Sequence, residues 1–228
     1  GTLETLVGDG DDNVREAAIE GLTKVKGRDA DALLRLALKR PAYQVTIAAA
    51  KGLQGTPDRR SAAAALLEAL GALTARAEDT SRDARAAILD RLEEVGAAED
   101  AGSLQPYLAD RDPQIADRAA RLLSTWTGTA HQAQTRRVTP LRVPSQDELD
   151  RLPAGMRVVM AGGESFDVAF DTWEATLTVW RLARLVQRGY YDGLTFHRVV
   201  PNFVIQGGSP GANEYVGDGS FMRDACSL

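Results

Sequence analysis

Cysteine is almost absent from this chain: Cys226 is the only one in 228 residues. A single cysteine forms no intrachain disulfide and builds no thiolate cage for a metal. Histidine is nearly as scarce. The two that occur, His131 and His197, lie far apart in sequence and give no basis for a histidine metal site. Long apolar runs are missing too, since none approaches the roughly 20 residues that a membrane-spanning helix needs. Positive charge is not in excess: Lys plus Arg is 27 against 32 for Asp plus Glu, a net charge of −5. There is no broad basic field for a phosphate backbone, and nucleic acid is not an expected partner. Lysine in particular is rare, 4 against 23 arginines, a bias that reads as the habit of a GC-rich genome before it reads as recognition chemistry. The first residue is Gly1 instead of methionine, so any leader would lie upstream and the compartment stays open.

What is present supports one large or two ordinary domains, with 44% hydrophobic residues to fill their cores. The first half repeats itself. DNVREAAIEGL (12–22), YQVTIAAAKGL (43–53), RDARAAILDRL (82–92) and PQIADRAARLL (113–123) align in register, 31, 39 and 31 residues apart. One column holds Val14, Val45, Ala84 and Ile115; four later stand Ala18, Ala49, Ile88 and Ala119; eight later stand Leu22, Leu53, Leu92 and Leu123. That spacing is a stripe along one side of a helix of period 3.6. Each stripe helix has a companion before it, over 31–39, 59–77 and 101–109. Pro41 and Pro113 fall where a first turn tolerates a missing N–H, and Asp112 is placed to cap the last stripe helix.

These units resemble the HEAT-repeat family, whose paired helices carry an Asp or Asn, then Val-Arg, then an Ala-rich stripe ending in Leu. The resemblance covers residues 1–126 and implies an all-α helical-hairpin solenoid. Its curved surface would bind a protein partner or serve as a spacer for the next domain. Residues 127–155 read as a linker, polar and holding three prolines, with a short helix over SQDELDRL where Ser145 and Glu148 have capping-box spacing.

From residue 156 the period changes to that of strands. MRVVMA (156–161) and SFDVAFD (165–171) form a hairpin through Gly162-Gly163. Residues 175–189 form a helix with Leu177, Trp180, Leu182, Leu185 and Val186 toward a core and Gly189 as its stop. Two short strands then flank Pro201, followed by GGSPG (207–211) as a turn and GANEYVGDG as a long loop.

The order hairpin, helix, FHRVVPNFVIQGG resembles the opening of a cyclophilin-type peptidyl-prolyl isomerase, including TV before the helix and GYYDG after it. The resemblance implies a mainly β antiparallel barrel over 156–228, incomplete here because the match stops before the strands that supply the rest of the pocket. It implies isomerisation of X–Pro bonds in protein or peptide clients, without cofactor or metal. It carries over Arg198 as the catalytic donor, with Phe203 and Gln206 binding substrate; Val204 shares the strand face of Gln206 and lines the same pocket. Thr176, Arg181, Leu182 and Ser209 depart from the family's usual residues while leaving that set whole. His197 is expected to be a buried, hydrogen-bonded structural residue, turned from Arg198's face by strand alternation. The alternative is a non-catalytic protein whose repeats grip a partner and whose second domain only holds a proline peptide; the intact Arg198–Phe203–Gln206 set favours the enzyme.

Overall fold

A computed structural model of the chain describes residues 1–134, 142–213 and 217. Cys226 and most of the loop expected over 211–219 lie outside these residues. The described residues form two compact units, one through Gln134 and the other from Arg142 to Ala212, with Asn213 and Gly217 grouped with the first. No helix among them is long and apolar enough to cross a membrane.

The first unit is helical: α1 (Thr2–Leu6), α2 (Asp12–Lys26), α3 (Asp31–Ala37), α4 (Tyr43–Gly52), α5 (Arg59–Ala75), α6 (Arg82–Val95), α7 (Ala101–Leu104) and α8 (Pro113–Thr127). The four repeated segments are α2, α4, α6 and α8. They pack in series, α2 on α4, α4 on α6 and α6 on α8, while α3, α5 and α7 lie against α4, α6 and α8 respectively. The stripe is the core: every one of its twelve residues is buried except half-buried Val14. Small alanines in the middle column let neighbouring helices approach closely. Aspartates fix the helix starts, as Asp11 accepts from the Asn13 N–H at 2.8 Å and Asp112 from the Gln114 N–H at 2.9 Å. Pro113 opens α8 as expected, and Gly128 ends it in the left-handed region at φ +67°.

Two expectations change here. Pro41 precedes the N-cap, Ala42, so it lies outside the first turn of α4. Residues 101–109 are not one helix: α7 gives way to a 3-10 turn over Gln105–Ala109, because Pro106 has no N–H for an α-helical bond.

Arginine does more than its compositional reading implies. Arg15, 2% exposed, donates to the Ala37 carbonyl at 3.4 Å and the Arg40 carbonyl at 2.8 Å. Arg91 reaches the Ala50 carbonyl at 2.8 Å, Arg28 that of Gly52 and Arg59 that of Glu94. In the connecting loops Arg40 bonds the Gly8 carbonyl, Arg76 that of Pro41 and Arg111 that of Glu78. Helix C-termini leave carbonyls without intrahelical partners, and the arginines supply donors from the companion helix or the neighbouring repeat. Arg85 is fully buried and pairs with Asp110 at 2.8 Å, while its Nε and Nη2 have no partner.

Gly96 ends α6 beneath the Trp126 ring, where a Cβ would come within 2.8 Å of ring carbon Cη2 and of the Leu92 carbonyl oxygen. Gly96→Ala is therefore expected to destabilise the unit by about 1–3 kcal/mol, read as a lower urea midpoint at unchanged slope.

The second unit contains α9 (Gln146–Leu149), β1 (Gly155–Val159), β2 (Ser165–Ala169), α10 (Thr176–Gln187), β3 (Phe196–Val200) and β4 (Val204–Gly207). The β1–β2 hairpin is antiparallel, with Gly155 opposite Ala169 and Val159 opposite Ser165, and Gly163 at φ +94° makes its turn. β3 and β4 form a second, separate antiparallel pair, so the described residues hold two small sheets and no closed barrel. Closure needs further strands to hydrogen-bond the open edges.

Helix α10 buries Val179 and Ala183, while Leu177 and Val186 are exposed and Trp180, Leu182 and Leu185 only half-buried. The expected five-residue core face is thus corrected to a narrower i, i+4 strip, because the described elements of the unit enclose only part of the helix. Its end follows expectation: Gly189, at φ +68°, donates to the Val186 carbonyl and Tyr190 to that of Leu185, a Schellman arrangement.

The capping box at Ser145 is formed, the Glu148 carboxylate accepting from the Ser145 N–H at 3.0 Å. The same carboxylate takes two bonds from Arg142, at 2.8 and 2.9 Å, and lies 3.7 Å from Arg184 of α10. Both guanidiniums sit over the Trp180 ring, 5.8 and 4.9 Å from its centroid. The Ser145 N–H bond first, with help from Arg142, lowers the Glu148 pKa below the ordinary glutamate value. A lowered carboxylate stabilises the fold above its unfolded pKa and loses that contribution as pH falls through the folded value. Removing that N–H with Ser145→Pro, which the φ of −72° at this position accommodates, is expected to move the Glu148 titration back up in an NMR pH series, and an unmoved midpoint would contradict this origin.

Candidate active site

The candidate site lies on the β3–β4 hairpin. Its turn is short because Asn202 adopts φ +58°, a left-handed conformation that asparagine tolerates, and the Phe203 N–H bonds the Val200 carbonyl at 3.1 Å. Register then sets what meets what: Arg198 faces Gln206, Val199 faces Ile205 and Val200 faces Val204. Arg198, Val200, Val204 and Gln206 accordingly share one face.

On that face Arg198 donates from Nη1 to the Gln206 Oε1 at 2.9 Å. Its guanidinium carbon lies 6.0 Å from the centroid of the Phe203 ring. The ring is 76% exposed, so it is not core filling. Val204 is half-buried beside them. The hairpin thus gathers a permanent cation with directed donors, an amide with both donor and acceptor, and an open aromatic wall. Four residues named from sequence stand together. No cluster of three or more His, Cys, Asp or Glu that could hold a metal occurs among the described residues.

His197 is where expectation and structure part. The register shifts between Phe196, opposite Gly207, and Arg198, opposite Gln206, so His197 is an extra residue stepping out of the ladder. Strict alternation, which would have set it on the face away from Arg198, is broken at that step. The residue is half-buried and its Nδ1 is enclosed without a hydrogen-bond partner, which corrects the expectation of a hydrogen-bonded ring.

Two aromatic residues that sequence reasoning did not single out pack on the glycine pair next to the site. The Phe196 ring lies on the backbone of Gly207, where a Cβ would come 2.7 Å from Cδ1, and packs 6.3 Å from Phe166 of β2. The Tyr191 ring lies on Gly208, where a Cβ would come 2.9 Å from Cε1 and where φ is +93°. The glycine pair after Gln206 is thus required by two close approaches and one left-handed backbone, beyond the turn that follows it. Pro210–Ala212 form a 3-10 turn. Elsewhere on the hairpins Arg157 makes a bidentate pair with Asp167 directly across β1–β2, at 2.7 and 2.9 Å, and holds that carboxyl below the usual aspartate range.

In the helical unit, α6, α8 and the segment after α8 line a groove of about 630 Å³. Its walls carry Asp90, Glu93, Asp117, Arg118 and Arg121.

Residues 156–225 match the family described as cyclophilin type peptidyl-prolyl cis-trans isomerase/CLD. Among individual proteins, the segment is similar to the peptidyl-prolyl cis-trans isomerase of Synechococcus elongatus, 56% identical over 41 residues, covering 18% of this chain and 28% of that protein. It is also similar to peptidyl-prolyl cis-trans isomerase B of Bacillus subtilis, 61% identical over 33 residues, 14% of this chain and 23% of that protein. Peptidyl-prolyl cis-trans isomerase-like 1 of Aspergillus oryzae is 44% identical over 55 residues, 19% of this chain and 34% of that protein. The chain spans about a third or less of the length of these curated relatives. No solved structure matches.

Proposed function

We propose that the protein is a peptidyl-prolyl cis/trans isomerase acting on X–Pro bonds of flexible protein or peptide clients, with Arg198 as the catalytic donor. The observation that carries this reading is the Arg198 guanidinium held by Gln206 beside an exposed Phe203 ring.

Rotation about an amide breaks no covalent bond, but the twisted state loses resonance, at a barrier of about 18–20 kcal/mol for a peptide bond. The prolyl nitrogen then becomes pyramidal and basic. A guanidinium aimed at that nitrogen donates a hydrogen bond that exists only in the twisted state, so it lowers the barrier without tightening the ground state. Phe203 is the wall for the proline ring, with Val204 beside it. Gln206 orients the guanidinium through its carbonyl and offers its amide N–H groups to the client backbone. No proton is transferred, so neither an acid–base pair nor a cofactor is needed. Because uncatalysed isomerisation takes tens to hundreds of seconds, the activity would assist folding of clients.

The helical unit is read, on the same footing, as a HEAT-like array that binds a client or partner protein. Supporting it are the repeated stripe and the packing of each stripe helix on the next. The test of the isomerase reading is a protease-coupled proline-peptide assay on the protein. Wild type no faster than Arg198→Ala would overturn it.

A further inference from the structure

We propose that Tyr191 is a positioning residue for the Arg198–Gln206 pair; the inference rests on the isomerase reading of that pair. Tyr191 belongs to neither strand of the hairpin, and its place is set by backbone geometry. Helix α10 ends at Gln187, and from Gly189 the chain makes two successive turns, Asp192 N–H to the Gly189 carbonyl and Leu194 N–H to that of Tyr191, each at 3.1 Å. Gly189 and Gly193 supply the positive φ values, +68° and +78°, that these turns need. The half-buried Tyr191 ring is braced edge-on by Tyr190, centroids 4.9 Å apart at 86°.

The Tyr191 ring also lies on Gly208, two residues past Gln206, while Phe196 lies on Gly207. Each of the two glycines leaving Gln206 therefore carries a ring against its backbone, and the two rings come from different parts of the chain. Gln206 in turn holds Arg198 through Oε1. Loss of the Tyr191 ring opens space beside Gly208, a residue with no side chain of its own to fill it. The end of β4 is then free to shift, and the acceptor that aims the guanidinium shifts with it. Tyr191 acts on the pair through the backbone of Gly208, so its effect falls on turnover more than on client binding.

The test compares Tyr191→Leu, which removes the ring, with Tyr191→Phe, which keeps it, in the full chain. Displacement of a catalytic group by an ångström costs up to about 100-fold, so Tyr191→Leu is expected to lower kcat about tenfold with KM changed less than about twofold, and Tyr191→Phe to restore kcat. A second readout needs no turnover: the Gln206 side-chain amide signals in a ¹H–¹⁵N spectrum, expected to move in Tyr191→Leu and to stay in Tyr191→Phe. Should Tyr191→Leu not fold, Tyr191→Trp takes its place, since a larger ring also displaces Gly208. Unmoved Gln206 signals, or equal loss in the ring-keeping and ring-removing variants, overturn the inference. Comparison with Arg198→Ala judges the isomerase reading separately, because the amide signals report positioning whether or not the protein turns over.

Discussion

Arg198→Ala is expected to lower kcat/KM for an X–Pro peptide by about 10²–10³-fold, the usual loss when one preorganised donor to developing charge is removed. Stability should barely change, by no more than about 0.5 kcal/mol, because the side chain is exposed on the hairpin. Arg198→Lys is not expected to restore the rate. An ammonium carries charge but lacks the planar fork that lets one nitrogen bond Gln206 while another faces the substrate. Since the interaction is made chiefly in the twisted state, the loss should fall on kcat, with KM little affected. A lysine variant with wild-type kcat would show that charge alone suffices, and would remove the directed hydrogen bond from the mechanism.

The largest stability effect is expected in the helical unit, at Asp110. Its carboxylate is 3% exposed and does two things: one oxygen pairs with fully buried Arg85 at 2.8 Å, the other accepts from the Asp112 N–H at 2.8 Å. Asp110→Ala strands a guanidinium that already has two nitrogens without partners, and breaking a buried pair in this way costs about 3–5 kcal/mol. Urea unfolding measures it directly. Adding Arg85→Met removes the stranded charge, so the double variant should regain much of the loss but not the Asp112 contact. A single-variant loss below about 1 kcal/mol would mean that Arg85 finds water or another acceptor.

The helical half was readable because its signal is redundant. Twelve apolar positions in three columns point one way, and one weak member, Val14, does not alter the pattern. Caps were readable for the same reason, since Asp112 and Pro113 act on adjacent backbone groups. The core face of α10 was misjudged because it depends on what covers the helix, which its own sequence does not encode. At the site, Arg198, Phe203 and Gln206 came from a resemblance and Val204 from strand alternation, and the geometry that joins them is short-range pairing across one turn. The bulge was invisible: an extra histidine between Phe196 and Arg198 leaves no mark in an alternating pattern. Tyr191 and Phe196 escaped notice because a ring resting on a glycine is a contact between distant residues. The arginine surplus was hidden by treating composition as a total, when the acceptors of Arg76 and Arg111 lie in a neighbouring repeat.

Those acceptors are main-chain oxygens, and this bears on how the helical half responds to its surroundings. A carboxylate partner can be lost by one substitution and its attraction is weakened by dissolved ions. A peptide oxygen is supplied by nearly any residue and carries no net charge to shield. The arginine rungs from one repeat to the next should therefore outlast the exposed ion pairs in concentrated salt, and sequence drift at positions 41 and 78 should leave them standing while loss of Arg76 or Arg111 should not.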